Sequence, residues 1–329
     1  MNKFALLANS DRQAVFGETA NMMKTTPAII EKDFWVVWVL DKVFTHPELQ
    51  KILRFKGGTS LSKVFHLIGR FSEDIDLILD WRKVTGEDPY KQRSKNQQSL
   101  FNDSINERAV IFIANELLPI ISELLAPLCQ CAIDTQNPHS INIRYPSAFK
   151  DTYLRPEILL EIGPLASWLP ASSFAVRPYV ANHFPELFAV PECQVETILA
   201  ERTFWEKATI LHQEAHRPAE KLIPSRYSRH YYDLALLAQS PVKDKALSHI
   251  GLLAEVVEFK QRFYPSAWAR YELATPSGLK LVPGAHRLKE LQRDYQAMQA
   301  MIFDKKLSFD EVMLNLNNLE QEIHHLHTQ

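Results

Sequence analysis

Residues 55–79 read FKGGTSLSKVFHLIGRFSEDIDLIL and contain the patterns that decide the fold. Residues 52–56 predict a short strand that runs into the Gly-Gly pair. The apolar residues of 59–68 then have helical spacing. Residues 73–79 have the period of a second strand, with Asp74, Asp76 and Ile78 on one face and apolar residues on the other. The stretch therefore predicts strand, glycine turn, helix and strand in succession, as in a mixed α/β domain.

The glycine pair, Gly57 and Gly58, is a candidate phosphate-binding turn. Two glycines let the main chain turn sharply and approach a ligand closely. Free N–H groups at the start of the following helix, where Thr59 and Ser60 lie, favour a phosphate. These four residues are therefore candidate binding residues, although a glycine pair taken alone also fits an ordinary turn.

The second strand carries two aspartates, Asp74 and Asp76, at positions i and i+2. Residues with this spacing project from the same face of a strand, so their carboxylates converge. Two carboxylates that close repel each other unless a cation lies between them, and Mg²⁺ prefers oxygen ligands of this kind. Asp74 and Asp76 are therefore predicted to be Mg²⁺ ligands, and the alternative is that both are surface carboxylates.

The remaining pattern predicts a mixed first part and a helical second part. A helix is expected over residues 26–46, and further strands are expected over 141–145 and over 158–162, where Glu161 lies inside the strand. From about residue 195 the spacing is helical, with helices expected over roughly 195–213, 229–239 and 243–263. We therefore predict an α/β (α+β) domain, a mixed sheet with flanking helices, over residues 1–190, and a helical domain over residues 191–329.

The overall charge argues against a protein whose whole surface binds nucleic acid. The chain has 37 basic and 39 acidic residues, a formal net charge of −2, whereas such proteins are normally basic. Two stretches are locally basic: residues 51–70 have five basic and no acidic residues, and residues 216–230 have four basic and one acidic. Three tyrosines in or next to the second stretch are candidates for stacking on bases, namely Tyr227, Tyr231 and Tyr232.

The N-terminal residues and the cysteines predict a soluble, cytoplasmic protein without a membrane association. The first twenty residues lack the apolar run of a signal peptide. The most apolar stretch, residues 34–44, is interrupted by Asp41 and Lys42 and is too short to cross a bilayer. Three cysteines cannot all pair within one chain.

The order of the glycine turn and the Asp-x-Asp strand resembles that of the nucleotidyltransferase superfamily. More narrowly, KGGTSLSK and RFSEDIDL are similar to the motifs of the AbiEii/AbiGii toxin family of type IV toxin–antitoxin systems. The resemblance extends to EKDFW (31–35), ILLEIG (158–163), ERTFWEKATILH (201–212) and RHYYDLALL (229–237). It implies a nucleotidyltransferase-like fold with a nucleotide-binding turn formed by Gly57, Gly58, Thr59 and Ser60.

The resemblance also implies roles for four further positions. Ser72 begins the family's Ser-x-Asp-x-Asp motif, and Glu161 corresponds to a third carboxylate that would activate the acceptor hydroxyl. Lys207 and Asp233 match the Lys and Asp of later motifs, and Lys207 would neutralise triphosphate charge. Without the resemblance, Glu161 could instead partner a buried arginine, Lys207 could extend its amine to solvent, and Asp233 could pair with Arg229 four residues earlier.

The function implied by the resemblance is that of a toxin. It would be an Mg²⁺-dependent enzyme that transfers NMP from an NTP to an RNA acceptor, the 3′ end of tRNA, and so inhibits translation and growth. A cognate antitoxin would be its partner. Two alternatives remain open, namely nucleotidyl transfer to a small molecule or a protein side chain, and a non-catalytic module that binds a nucleotide or a partner.

Overall fold

The computed structural model describes residues 1–151, 154–304 and 306–326. The chain forms two compact units. The first unit contains Met1–Val64 and Phe71–Ile198, and the second contains Phe65–Arg70 together with the chain from Leu199 onward. The short segment Phe65–Arg70 therefore belongs to a different unit from the residues on either side of it.

The first unit contains a seven-stranded mixed sheet, which confirms the predicted α/β class. Its strands are β1 (Leu53–Lys56), β2 (Ile75–Leu79), β3 (Gln130–Ile133), β4 (Ser140–Arg144), β5 (Ile158–Gly163), β6 (Ala171–Val176) and β7 (Cys193–Ile198). Their order across the sheet is β3-β4-β5-β2-β1-β7-β6. Strand β1 is parallel to β7, and β2 is parallel to β5, whereas the other neighbours are antiparallel.

The α-helices of the first unit precede these strands or lie between them in chain order. They are α1 (Asn2–Ala5), α2 (Asn9–Met23), α3 (Pro27–Thr45), α4 (Leu49–Ile52), α5 (Gly57–Lys63), α6 (Lys95–Phe112), α7 (Leu118–Leu125) and α8 (Tyr179–His183). Helix α3 begins after Thr26, whose hydroxyl accepts a hydrogen bond from Ile29 N at 3.4 Å. This helix is buried on all sides from Ala28 to Leu40, so every polar side chain in that stretch needs a partner.

The second unit consists of helices joined by turns and by longer connections such as residues 264–287. Its α-helices are α9 (Ala200–Ala215), α10 (Ser228–Leu237), α11 (Pro241–Ser248), α12 (Gly251–Phe263), α13 (Leu288–Met298) and α14 (Phe309–His325). Within the described ranges, none of the helices of either unit combines the length and the apolar character needed to span a bilayer. The three cysteines, all in the first unit, are free thiols.

Several predicted elements are found within about two residues of their expected positions, but three predictions are wrong in part. The helix expected over 59–68 ends at Lys63, because His66 has a left-handed φ of 52°. The helix expected to begin near 195 begins at Ala200, because residues 193–198 form β7. The helix expected over 243–263 is two helices, broken between Ser248 and Gly251.

Strand β7 extends the sheet beyond residue 190 of the chain. It pairs with β6 over its whole length and with β1 through Phe55 and Thr197. The sheet therefore continues past residue 190, at which we expected the first domain to end, and the first unit extends to Ile198. Side chains alternate between buried and more exposed at the start of β7, with Val195 buried and Gln194 exposed, which is the period of a strand.

Candidate active site

Asp76 and Glu161 are direct neighbours across two parallel strands. Asp76 of β2 lies in register with Glu161 of β5, and side chains paired in this way share one face of a sheet whose strands are about 4.8 Å apart. Both are half-buried, whereas the strand residues beside them, such as Leu77 and Leu160, are fully buried. The structure thus brings together two of the three predicted carboxylates on one face of the sheet.

Asp74 lies just before β2 and is held by the start of helix α5. The Thr59 hydroxyl donates a hydrogen bond to the main-chain oxygen of Asp74, and it lies 2.9 Å from the hydroxyl of Ser72. Thr59 is fully buried. Its side chain therefore fixes the chain that carries Ser72 and Asp74, which ties the predicted turn to the predicted carboxylates.

The turn itself needs glycine at Gly57 for two reasons. Gly57 has a φ of 85°, a conformation that side chains other than glycine's rarely allow. A Cβ atom at this position would overlap the carboxylate of Asp76. The Ser60 hydroxyl donates a 2.8 Å hydrogen bond to the Gly57 oxygen. This bond stabilises the first turn of α5, which lies beside Asp76.

Lys56 is a site residue that the sequence analysis missed. It is the last residue of β1, in register with Asp76, and it is half-buried on the same face. The row across the three strands therefore reads Lys56, Asp76 and Glu161. The signal was present in the sequence, because a lysine directly before the glycine pair must lie at the end of the predicted strand.

Asp74 and Asp76 are the residues that would hold a divalent metal ion together with a ligand phosphate. In the part of the chain that the structure describes, no group of three or more His, Cys, Asp or Glu side chains is arranged to hold a metal by itself. Mg²⁺ does not need such a group, since it is usually bound by one or two carboxylates with waters and substrate phosphates. Asp74 and Asp76, next to a glycine turn, supply that donor set.

Lys207 and Asp233 form an ion pair inside the second unit, with Nζ and Oδ2 2.7 Å apart. Asp233 also accepts hydrogen bonds from Arg70 Nε and Nη2, at 2.7 and 2.8 Å. All three side chains are almost completely buried. The partners of Asp233 are therefore Arg70 and Lys207 rather than the helical neighbour Arg229, and Lys207 does not extend to solvent.

These charges shift one another's titration. Burial alone would raise the pKa of the Asp233 carboxyl, but Arg70 and Lys207 outweigh burial and hold that pKa below its ordinary value. Burial lowers the pKa of Lys207, and the charge of Asp233 opposes this shift. Asp233 is therefore ionised throughout the neutral range.

The C-terminal region, for which the sequence offered no motif, holds the segment that carries Arg70. The main-chain N–H groups of Phe303 and Asp304 both donate to the Gly69 oxygen, at 3.1 and 3.2 Å. A Cβ atom at Gly69 would overlap Asp304. Arg70 is thus fixed by its neighbours in the chain as well as by Asp233.

The basic stretches are less available to nucleic acid than the sequence suggested. In residues 51–70, Lys63 and Arg70 are buried in ion pairs. Next to the second stretch, Tyr231 and Tyr232 are 1% and 0% exposed, so the prediction that they stack on bases is wrong. Burial also raises the pKa of both phenols. Lys51 is the basic residue of the first stretch that remains well exposed.

Two solved structures are similar to this chain at low sequence identity. MenT4, a nucleotidyltransferase toxin from Mycobacterium tuberculosis H37Rv, is 14% identical with a TM-score of 0.45, over 95% of this chain and 97% of that one. JHP933 from Helicobacter pylori is 15% identical with a TM-score of 0.46, over 91% of this chain and 94% of that one. Among curated proteins, none matches the chain significantly.

A protein-family model matches most of the sequence. The family is described as nucleotidyl transferase AbiEii toxin, type IV TA system, and the match covers residues 38–315. It includes the glycine turn, the three carboxylates of the first unit, and Lys207 and Asp233. The match confirms the resemblance drawn from the motifs. The chain is therefore a nucleotidyltransferase that belongs to the AbiEii toxin family of type IV toxin–antitoxin systems.

Proposed function

We propose that this enzyme uses Mg²⁺ to transfer NMP from an NTP to an RNA acceptor, the 3′ end of tRNA, and that the modified tRNA no longer supports translation. The observation that carries the proposal is the position of Asp76, which lies between the Gly57 turn and Glu161. A phosphate-binding turn, a cation-binding carboxylate and a potential base are therefore consecutive neighbours. This is the set of groups that nucleotidyl transfer requires.

Each group has a separate role in the proposed reaction. The Gly57–Ser60 turn binds the phosphates through main-chain N–H groups, and Lys56 balances their charge. Asp74 and Asp76 would hold Mg²⁺, which would supply electrostatic stabilisation of the phosphate oxygens. Glu161 accepts the proton of the acceptor hydroxyl as its oxygen bonds to the α-phosphorus. The bond from the α-phosphorus to the bridging oxygen then breaks, and pyrophosphate leaves.

Lys207 and Asp233 remain predicted site residues on the strength of the family's motifs. Lys207 is almost fully buried and already paired with Asp233, so its expected role towards a triphosphate rests on the motif alone. A cytoplasmic location and a cognate antitoxin are also proposed on the basis of the toxin–antitoxin family.

The experiment is nucleotide incorporation into total RNA. The protein is incubated with Mg²⁺ and each of the four α-³²P-labelled NTPs in turn, beside the Asp74→Ala/Asp76→Ala variant. We expect a labelled band of tRNA size with at least one NTP and no band with the variant. Because phosphate contacts make RNA binding depend steeply on salt, the labelling should also fall as salt is raised.

The other outcomes contradict the proposal in distinct ways. Label found on the protein itself, or on a small molecule in a reaction without RNA, would identify another acceptor for the same chemistry. Equal labelling by the double variant would show that Asp74 and Asp76 do not act in the reaction. Nucleotide binding without any labelling would favour a non-catalytic module.

A further inference from the structure

Three consecutive charged residues, Glu31, Lys32 and Asp33, lie at the start of helix α3 and are 1%, 0% and 1% exposed. Successive residues of an α-helix point about 100° apart, so three in a row reach three different parts of the surrounding structure. A buried charge is costly unless it is paired or hydrogen-bonded. The partners of these three residues, which we call the charged triplet, therefore show which parts of the chain helix α3 holds in place.

Lys32 joins the chain before β2 to the chain before β5. Its Nζ lies 2.6 Å from Glu73 Oε2 and donates a 2.8 Å hydrogen bond to the Arg155 oxygen. The main-chain N–H of Arg155 donates to the same Glu73 oxygen at 3.2 Å. Glu73 directly precedes Asp74, and Arg155 lies three residues before the strand that carries Glu161. One buried lysine thus fixes the entrances to both carboxylate-bearing strands.

Asp33 holds the other half of the site. Its carboxylate lies 2.6 Å from Lys63 Nζ, and both side chains are almost fully buried. It also accepts a 2.7 Å hydrogen bond from Tyr179 N, and the Lys63 ammonium lies 3.5 Å from the centre of the Tyr179 ring. Lys63 is the last residue of α5, the helix that begins at Gly57. Asp33 therefore anchors the end of the helix whose start is the phosphate-binding turn.

Glu31 completes the arrangement. Its carboxylate accepts hydrogen bonds from Ala148 N at 2.8 Å, Phe149 N at 3.1 Å and the Ser147 hydroxyl at 3.1 Å. These residues lie on the chain between β4 and β5. Glu31 therefore fixes that connection from the same helix turn that holds Glu73 and Lys63.

We propose that the charged triplet sets the spacing between the nucleotide-binding turn and the metal-binding carboxylates, with Lys32 and Asp33 as positioning residues for nucleotidyl transfer. The inference rests on the proposed function of Asp74, Asp76 and Gly57. Lys32 controls the placement of the carboxylates and hence turnover. Asp33 controls the placement of the turn and hence the affinity for NTP. All three side chains are almost fully buried, so we assign them a positioning role that acts through the residues they hold.

The test separates positioning from stability by removing one charge or both. Lys32→Met leaves Glu73 buried without its cation, which lowers stability, whereas Lys32→Met/Glu73→Gln removes both charges and avoids that penalty. We expect the double variant to recover the melting temperature lost by the single variant. We expect kcat to stay reduced about tenfold or more in both, since a small misplacement of reacting groups can cost up to about 100-fold.

Two further variants sharpen the comparison. Asp33→Asn/Lys63→Met should raise KM for NTP several-fold with a smaller effect on kcat, the opposite of the Lys32 variants. Val39→Ala is the matched control, because Val39 is a fully buried apolar residue of the same helix. Assayed well below its melting temperature, this control should keep both kcat and KM despite its lower stability.

The results distinguish failure of the inference from failure of the proposed function. If Lys32→Met/Glu73→Gln recovers kcat together with its melting temperature, the triplet only stabilises the fold. If the unmodified protein labels no acceptor, the proposed function fails. All variants are therefore also titrated with Mg²⁺ and a non-hydrolysable NTP analogue. Unchanged affinity in Asp33→Asn/Lys63→Met would then overturn the positioning role of Asp33 by itself.

Discussion

The carboxylate of Asp76 lies where a side chain on Gly57 would begin. The turn that is proposed to bind phosphate and the carboxylate that is proposed to bind Mg²⁺ are therefore in direct contact. This contact is possible because β1 and β2 are antiparallel neighbours. The end of β1, which Gly57 follows, therefore lies beside the start of β2. A change at either residue should consequently alter both functions.

Gly57→Ala should reduce nucleotidyl transfer by about 100-fold or more, because the methyl group displaces Asp76. The positive φ adds strain of about 1–2 kcal/mol. The measurement is the initial rate of NMP incorporation. Gly17→Ala is the control, since no described atom lies within 4 Å of a Cβ built there. Normal activity of Gly57→Ala would show that the contact with Asp76 has no role in the reaction.

Asp76→Asn should remove the stabilisation that NTP and Mg²⁺ give to the folded protein. Ligand at 100 times its Kd stabilises a protein by about 2.7 kcal/mol, and we expect this gain for the unmodified chain but not for Asp76→Asn. Thermal melting with and without NTP and Mg²⁺ measures it. Asp103→Asn, an exposed position on α6, should behave as the unmodified chain. An equal gain in Asp76→Asn would exclude this carboxylate from the ligand site.

Lys56→Met should raise KM for NTP by about tenfold, which corresponds to about 1.4 kcal/mol, because the phosphates lose a neighbouring cation. Lys56→Arg keeps the charge and should recover part of the affinity. Steady-state kinetics at saturating acceptor give KM, and Lys51→Met, at an exposed residue, is the control. An unchanged KM in Lys56→Met would mean that Lys56 balances Asp76 and does not serve the nucleotide.

Asp233→Asn should destabilise the protein by about 3–5 kcal/mol at neutral pH, since it leaves Arg70 and Lys207 buried without their shared anion. The pKa of Asp233 is lower in the folded protein than in the unfolded chain. The ionised Asp233 carboxylate therefore contributes fully to the free energy of unfolding above about pH 4. This contribution is lost as the pH falls from there through the pKa of Asp233 in the folded protein. Denaturant unfolding at pH 7 measures the destabilisation, and unfolding at a series of pH values from 4 down to 2 measures the onset of the acid-dependent loss.

The control for this pH dependence is Asp244→Asn, whose side chain is 80% exposed. This variant should lose stability in acid to the same extent as the unmodified chain. In Asp233→Asn, the acid-dependent loss should be smaller, because one of the groups responsible for it is gone. An identical pH profile in both variants would contradict the assigned role of the Asp233 ion pairs.

Local patterns in the sequence predicted the centre of the candidate site. A strand before Gly57 and a strand through Asp76 are signalled by neighbouring residues, and both are found. Glu161 entered through the family resemblance, since its place opposite Asp76 depends on strand register. The roles of these residues in catalysis stay predictions, whereas the fold and the family are confirmed.

Long-range pairings explain what the sequence could not show. Lys32 and Glu73 are 41 residues apart, and Arg70 and Asp233 are 163 apart. No periodicity within either segment signals such a pair. Strand β7 was missed for a different reason, because it is followed almost at once by α9 and its apolar residues also fit the helical spacing of that neighbour.

The segment Phe65–Arg70 has a consequence for how the protein can be divided. It lies between the glycine turn and the Asp-x-Asp strand in the sequence, yet it is part of the helical unit. A gene fragment that starts at residue 199 would encode Lys207 and Asp233 without Arg70. The Asp233 carboxylate would then lack one of the two cations that pair with it. Single crossover recombination therefore cannot exchange one unit intact for that of a homologue, and the two units should be inherited together.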